Sequence, residues 1–202
     1  MIGVVDYGAG NLGSVRNALD RAGLPSRPVA TPEDLPGLSG LILPGVGSFG
    51  PAAAALDASG MTEGLRAWAL SGRPLLGICL GLQLLFERSE EGEAGRPGLG
   101  LFAGRVVRLD GPRAVHIGWN RVRVVGPGPL APPDEEPDWF YFVHGYVVRP
   151  DEEAIVAAVA DYGCVFAAVV GRRNVWGVQF HPEKSGPAGL AVLRAWGASC
   201  SR

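Results

Sequence analysis

Three times within the first ninety residues, a short apolar run ends in a glycine-containing turn and gives way to a longer stretch of helical character. The runs are IGVVDYGAG (2–10), GLILPGVG (40–47) and PLLGICLG (74–81). Runs without polar alternation fit strands covered on both faces, and strands alternating with helices at this spacing build a parallel sheet between helical layers. The reading places strands at 2–6, near 26–30 and at about 40–44, with a further strand–turn–helix unit in RPLLGICLGLQLLFERS (73–89). SVRNALDRAG stops at Gly23, and the helical stretch 52–72 breaks near Gly60. The second half is different. FAGRVVRLDG, AVHIGWNRVRVVG, DWFYFVHGYVVRP, AIVAAVADYG, VFAAVVGRR and NVWGVQF are short β-branched or aromatic runs, which predict antiparallel ribbon attached to one side of the sheet. Residues 89–100 and 126–138 read as exposed loops, and AGLAVLRAWGA (188–198) as a closing helix. The expectation is an α/β three-layer sandwich with a central, mostly parallel sheet, formed by residues 1–202 as one domain.

Charge and composition exclude several functions. The 18 basic and 20 acidic residues are spread along the chain with a net charge of −2, so neither nucleic acid nor a charged tail is indicated. The longest apolar stretch, Pro74 to Phe86, is too short to span a bilayer, and MIGVVDY lacks the layout of a signal peptide. Three widely spaced cysteines make no disulfide framework, which predicts a reducing, cytoplasmic setting. Lys184 is the only lysine, so Schiff-base chemistry would rest on that one residue.

Gly77-Ile78-Cys79-Leu80-Gly81 is a cysteine version of the strand–nucleophile–helix elbow. Small residues two before and two after the nucleophile permit the strained turn that pushes its side chain out of the sheet. A helix beginning after Cys79 would turn unpaired N–H groups toward the sulfur, favouring a thiolate nucleophile. The bland reading is a buried structural cysteine. Cys164 reads as core and Cys200 as part of a fraying tail.

A thiolate needs a proton carrier, and the chain has only His116, His144 and His181. His181 follows a strand and precedes Pro182 and Glu183. Proline biases His181 toward extended backbone, where side chains two apart project to one side, so Glu183 can orient the imidazole. His116 and His144 have no acid at such spacing and read as hydrogen-bonded structural histidines. For a tetrahedral intermediate, the Leu80 backbone N–H is one oxyanion donor. Pro44-Gly45-Val46-Gly47 supplies others, with Val46 and Gly47 as the candidates. No metal or cofactor is required.

Two motifs lead elsewhere. Gly8-Ala9-Gly10-Asn11-Leu12-Gly13 fits the dinucleotide pattern GxGxxG, but the acid at the right distance, Glu33, falls after Thr31-Pro32 rather than at a strand end. His-Pro-Glu resembles half of a zinc-deaminase signature, and no Pro-Cys-x-x-Cys follows it.

In order and along the whole chain, PGVG, GICLGLQ and HPE resemble class I, triad-type glutamine amidotransferases, whose fold is flavodoxin-like. DYGAGNLGSV (6–15), HIGWN (116–120) and YFVHGY (141–146) look like the glutaminase subunits of imidazole glycerol phosphate synthases, from histidine biosynthesis. The resemblance implies that Cys79, His181 and Glu183 hydrolyse glutamine to glutamate and ammonia through a thioester. It also implies that Gly45, Gly47, Gln83, Gly145, Tyr146 and Glu91 bind the substrate. Gly145 stands where such motifs often carry a small hydroxyl residue, so its contact would be through backbone. Ammonia would pass to a (β/α)₈-barrel cyclase subunit in a heterodimer, with Asn11, Trp119, Asn120, Tyr141 and Lys184 near the shared face. There it would help make imidazole glycerol phosphate and aminoimidazole carboxamide ribonucleotide. The rivals are another class I glutaminase subunit, a related cysteine hydrolase acting alone, and a non-enzymatic regulatory subunit; Gln83, the His-Pro-Glu spacing and the complete triad weigh against the last two.

Overall fold

In the central strands every residue is buried, and that fact organises the rest. The structure is a computed structural model that describes residues 1–8, 10–92, 96–128 and 139–200. Strand β1 (Ile2–Val5) leads to helix α1 (Leu12–Arg21), β2 (Ser26–Val29), β3 (Gly40–Leu43) and helices α2 (Phe49–Ala58) and α3 (Met61–Leu70). Then come β4 (Leu75–Ile78), the short helix α4 (Leu80–Leu84), β5 (Phe86–Ser89) and β6 (Phe102–Arg108). The second half holds β7 (His116–Arg121), β8 (Arg123–Val124), β9 (Trp139–His144), β10 (Tyr146–Pro150), β11 (Val156–Asp161), β12 (Val165–Arg172), β13 (Val175–Val178) and helix α5 (Gly186–Ser199).

Strands β2, β1, β3, β4 and β13 lie side by side in parallel, and β12, β11 and β8 continue the same sheet antiparallel. Alternate side chains feed two cores. Leu41, Leu43 and Leu75 pack under α2 and α3 with Phe49, Leu65 and Trp68. Ile42, Leu76 and Ile78 point the other way, toward Val15 and Leu19 of α1 and Leu193 and Trp196 of α5. The result is the expected three-layer sandwich.

Two helical features fall where the residues predict: α1 ends before Gly23, and the stretch 52–72 breaks at Gly60. Asn11 caps α1, its Oδ1 accepting from the Ser14 N–H at 3.3 Å, and Gly60 separates α2 from α3 with a φ of 72°.

Four expectations need correction. The antiparallel ribbon exists, as the pair β7–β9 and the small sheet β10-β6-β5. However, β11, β12 and β13 extend the central sheet itself rather than hanging from its side. The reason is burial: six consecutive residues of β12 and all four of β13 are buried, and an edge ribbon cannot cover both faces. The helix after Cys79 is only five residues long. Its segment is buried on all sides, and the carbonyls of Leu84, Leu85 and Phe86 accept instead from the N–H groups of Leu99, Leu101 and Gly100. Cys200 is buried against Trp196, not frayed, and burial pushes its thiol up to about 11. Cys164, expected in the core, is half-buried at its edge. Of the two expected loops, 93–95 and 129–138 lie outside the described residues.

The tightest joint is where β4 turns into α4. A Cβ on Gly77 would sit 2.7 Å from the Gly81 carbonyl, and a Cβ on Gly81 would overlap the Leu43 carbonyl of β3. Both glycines of the elbow are thus required by close backbone approach. Gly13, in the first turn of α1, has nothing within 4 Å of an added Cβ. Gly81→Ala should therefore lower stability by at least about 3 kcal/mol in urea unfolding, whereas Gly13→Ala should raise it by up to about 1 kcal/mol.

Candidate active site

The elbow, the PGVG loop and the His-Pro-Glu segment all lie at the carboxyl ends of adjacent parallel strands, β4, β3 and β13. Open α/β sheets bind ligands at that edge. Cys79 has φ 55° and ψ −110°; with Arg173 it is one of two non-glycine residues with positive φ among those described. A backbone so placed costs about 1–3 kcal/mol. It is held by the Cys79 N–H donating to the Val178 carbonyl of β13 at 2.8 Å, and by the Cys79 carbonyl accepting from the Gln83 N–H at 3.2 Å.

His181 is fixed from both sides. Its N–H donates to the Tyr141 carbonyl at 2.9 Å, and its carbonyl accepts from the Ser185 hydroxyl at 2.6 Å. The hydroxyl oxygen in turn accepts from the Tyr141 N–H at 3.0 Å. His181 is extended, as the following proline predicts, but Pro182–Lys184 form a 3₁₀ turn. That turn, rather than continued extended chain, carries Glu183 to the imidazole. Nδ1 lies 2.7 Å from Glu183 Oε1, and the two side chains are 3% and 2% exposed. The carboxylate therefore accepts a hydrogen bond from Nδ1–H and leaves Nε2, which has no hydrogen-bond partner among the described residues.

Burial alone would push this imidazole down. The Cys79 sulfur and the Glu183 carboxylate outweigh it and lift His181 from 6.5 to about 9. His181 is thus an imidazolium at neutral pH.

Cys79 and His181 line one cleft of about 160 Å³, together with Val46, Gly47, Leu80, Gln83, Glu91, Gly145 and Tyr146. Every residue assigned to oxyanion or substrate binding lies on this wall except Gly45. Gly45 sits behind it, where a Cβ would come within 2.7 Å of Leu80 and 2.9 Å of the Tyr7 hydroxyl. Tyr7 donates to the Pro44 carbonyl at 2.9 Å and so anchors the loop. Burial first, and then Cys79, push its hydroxyl far above the tyrosine range, which keeps it a donor. Gly47 has φ 91°, a conformation that favours glycine. Glu91 Oε2 accepts from the Phe49 N–H at 2.8 Å, tying the start of α2 to the cleft.

A polar chain runs inward from the nucleophile. Gln179 Nε2 donates to Cys79 Sγ at 3.7 Å, and Gln179 Oε1 accepts from Gln83 Nε2 at 3.2 Å. Gln83 Nε2 also donates to the Tyr146 carbonyl at 3.1 Å. That carbonyl lies 2.9 Å from His144 Nδ1, His144 Nε2 lies 3.2 Å from His116 Nδ1, and His116 Nε2 lies 3.4 Å from Asn120 Nδ2. Burial lowers His116 to about 4 and His144 to about 3, so both are neutral, and one proton per imidazole satisfies the chain. The structural role expected of these histidines holds, but His144 also lines the cleft.

Gln179, Ser185, Val143 and His144 are the site-forming residues that the sequence reading did not select. Gln179 alone left a signal: a polar residue in the apolar run VWGVQF, two before His181 and hence on its side of the strand.

The residues expected at a shared face are divided. The outer face of the β7–β9 ribbon exposes Ile117 (64%), Trp119 (53%) and Trp139 (50%). Trp119 and Tyr141 meet edge to face, and Lys184 Nζ lies 5.6 Å from the Tyr141 ring. Asn120 points inward, its amide donating to the Asp161 carbonyl at 2.8 Å. Asn11 is occupied as the α1 cap, at an exposed position. The dinucleotide reading loses its acid, since Glu33 lies in a 3₁₀ turn beyond β2. Among the described residues, no cluster of three or more His, Cys, Asp or Glu is placed to hold a metal ion.

The raised His181 has a consequence for stability. Its folded pKa exceeds the unfolded value near 6.5, so its contribution is complete below that pH and is lost as pH rises through about 9. Glu183→Gln should lower the thermal unfolding midpoint by about 5 °C or more at pH 6.5, and by clearly less at pH 9.5, followed by circular dichroism.

A model of the class-I glutamine amidotransferase family matches residues 4–197. A protein of Desulfitobacterium hafniense named imidazole glycerol phosphate synthase subunit HisH is 50% identical over 199 residues, covering 98% of this chain and 93% of that one. A protein of the same name from Geobacillus thermodenitrificans is 49% identical, covering 97% and 94%. Among solved structures, a glutamine amidotransferase superposes with a TM-score of 0.79 at 25% identity, covering 100% of this chain and 99% of that one. PurLQS from Thermotoga maritima gives 0.80 at 22% identity, covering 98% and 97%, a likeness of fold alone.

Proposed function

The chain belongs to the class-I glutamine amidotransferases, and we propose that within that family it is the glutaminase subunit of an imidazole glycerol phosphate synthase. It hydrolyses L-glutamine to L-glutamate and ammonia, which a cyclase subunit uses to make imidazole glycerol phosphate and aminoimidazole carboxamide ribonucleotide. About half of its residues are shared, over nearly the full length, with relatives carrying that subunit's name. The observation that carries the chemistry is one cleft holding a strained cysteine, a glutamate-paired imidazolium and a glycine loop.

The geometry supports the following roles. The Cys79 thiolate attacks the side-chain carboxamide carbon of glutamine, and the carbonyl electron pair moves onto oxygen. Backbone N–H groups of Leu80, Val46 and Gly47 receive that charge. His181 Nε2–H protonates the departing nitrogen as the carbon–nitrogen bond breaks, leaving a glutamyl thioester and ammonia. Neutral His181 then takes a proton from water, whose oxygen attacks the thioester and expels the thiolate. Glu183 holds the imidazole in one tautomer throughout. Gln83, Glu91 and the Gly145–Tyr146 backbone line the space for the amino-acid head group.

The reading extends to a partner. The aromatic outer face of the β7–β9 ribbon, with Tyr141 and Lys184, ends at Val143 on the cleft wall, so a cyclase seated there would meet ammonia at its source. We take residues 1–202 as a single domain working in a cytoplasmic heterodimer. Among the described residues no helix is long and apolar enough to cross a membrane.

Glutamate release should rise when the cyclase subunit and its ribonucleotide ligand are added, and Cys79→Ala should lower it at least ~10⁴-fold. Glutamine turnover surviving in Cys79→Ala would refute the mechanism, and equal turnover without partner would refute the coupling. Trp119→Ala should weaken the complex at least about tenfold by calorimetry, leaving the unfolding midpoint unchanged.

A further inference from the structure

Gln179 is fully buried at the end of β13, where leucine or valine would fill the space without the cost of burying a carboxamide. Its polar atoms are instead spent on two residues of the cleft. The direction of those bonds is forced. The Tyr146 carbonyl can only accept, so Gln83 must turn its nitrogen toward it at 3.1 Å. The same nitrogen is 3.2 Å from Gln179, which must therefore present Oε1 and, by exclusion, direct Nε2 at Cys79 Sγ 3.7 Å away. The backbone cannot relieve this arrangement, because the Gln179 N–H is tied to the Ala168 carbonyl of β12 at 2.9 Å. Both protons on Gln83 Nε2 are consumed, leaving only Gln83 Oε1 for a ligand. That oxygen has no protein partner among the described residues, and Gln83 lines the cleft.

We propose that Gln179 is a positioning residue that sets Gln83 to receive a hydrogen-bond donor of the substrate, an ammonium or carboxamide N–H, while its own N–H supports negative charge on Cys79. The inference rests on the glutaminase reading and deepens it. Gln83 is thereby selective for a donor and disfavours amino acids that present an acceptor at that point. The N–H at the sulfur acts twice in each turnover, when the thiolate is drawn into attack and when it is expelled from the thioester.

The test is steady-state glutaminase kinetics of the complex with the cyclase and its ligand. Gln179→Met removes both bonds and should raise the glutamine KM about tenfold and lower kcat about tenfold, each the size of one hydrogen bond. Gln179→Glu keeps an oxygen facing Gln83 whether or not it is protonated, so its KM should stay within about twofold of wild type. The double variant Gln83→Met/Gln179→Met should have a KM no higher than Gln83→Met alone, because Gln179 reaches the substrate through Gln83. Gln179→Asn, too short for either contact, replaces the Met variant if the latter does not fold. The proposal is overturned by a folded Met or Asn variant with wild-type KM, by Gln179→Glu matching its KM defect, or by penalties that multiply in the double variant. Absence of glutamine turnover in the wild-type complex would overturn both this and the functional reading; turnover without the KM split would overturn this alone.

Discussion

The site depends on one backbone constraint, the turn that takes the chain from β4 into α4 through Cys79. Its φ of 55° is not a conformation that a cysteine adopts freely. It is held by neighbours. The Val178 carbonyl of β13 takes the Cys79 N–H at 2.8 Å, and Gly81 lies against the Leu43 carbonyl of β3 so closely that no side chain fits between them. The strands flanking β4 therefore clamp the elbow, and each also delivers the next part of the site. β3 continues into Pro44–Gly47, and β13 continues through Gln179 to His181. Relative positions of sulfur, imidazole and glycine loop are consequently set by the spacing of adjacent strands, the most rigid distance available in such a fold.

Within that frame, the three histidines take different charge states. Glu183 and Cys79 bring His181 up to about 9, whereas burial without an acid brings His144 to about 3 and His116 to about 4. Only one imidazolium stands beside the sulfur, and the neutral pair serves as hydrogen-bonded wall. The distinction lies in the partners: a buried imidazole keeps its proton only where groups such as Cys79 and Glu183 offset the lost hydration. His144 also feels His181 directly, which helps to keep it neutral.

The β7–β9 ribbon joins surface and interior in a different way. Its outward residues, Ile117, Trp119, Trp139 and Tyr141, form a largely aromatic face, while its inward residues, His116, Asn120, Phe140, Phe142 and His144, turn to the interior, where His144 reaches the cleft wall. Period-two alternation makes one ribbon serve both purposes, because neighbouring residues point to opposite sides. His144, Tyr146 and Val143 reach the cleft from the same stretch of chain that displays the outer aromatics.

Much was legible in the residues themselves. Wholly apolar runs ending in glycine turns required strands buried on both faces, and so a layered α/β sheet. GICLG required an elbow, since only glycine tolerates contacts such as Gly81 makes with Leu43. His-Pro-Glu set a carboxylate two residues from the imidazole, although a 3₁₀ turn rather than extended chain brings the two together. What pairs with what across long separations was left to the tertiary structure, because strand partners are chosen by burial summed over the whole sheet. That choice drew β11–β13 into the central sheet, ended α4 after five residues and buried Cys200. It also brought Gln179 to Cys79 from 100 positions away and turned Asn120 inward to His116. Local chemistry in the sequence determined which groups can react; the packing of β3, β4 and β13 decided which of them meet, because hydrogen-bond direction and burial exist only once those strands lie side by side.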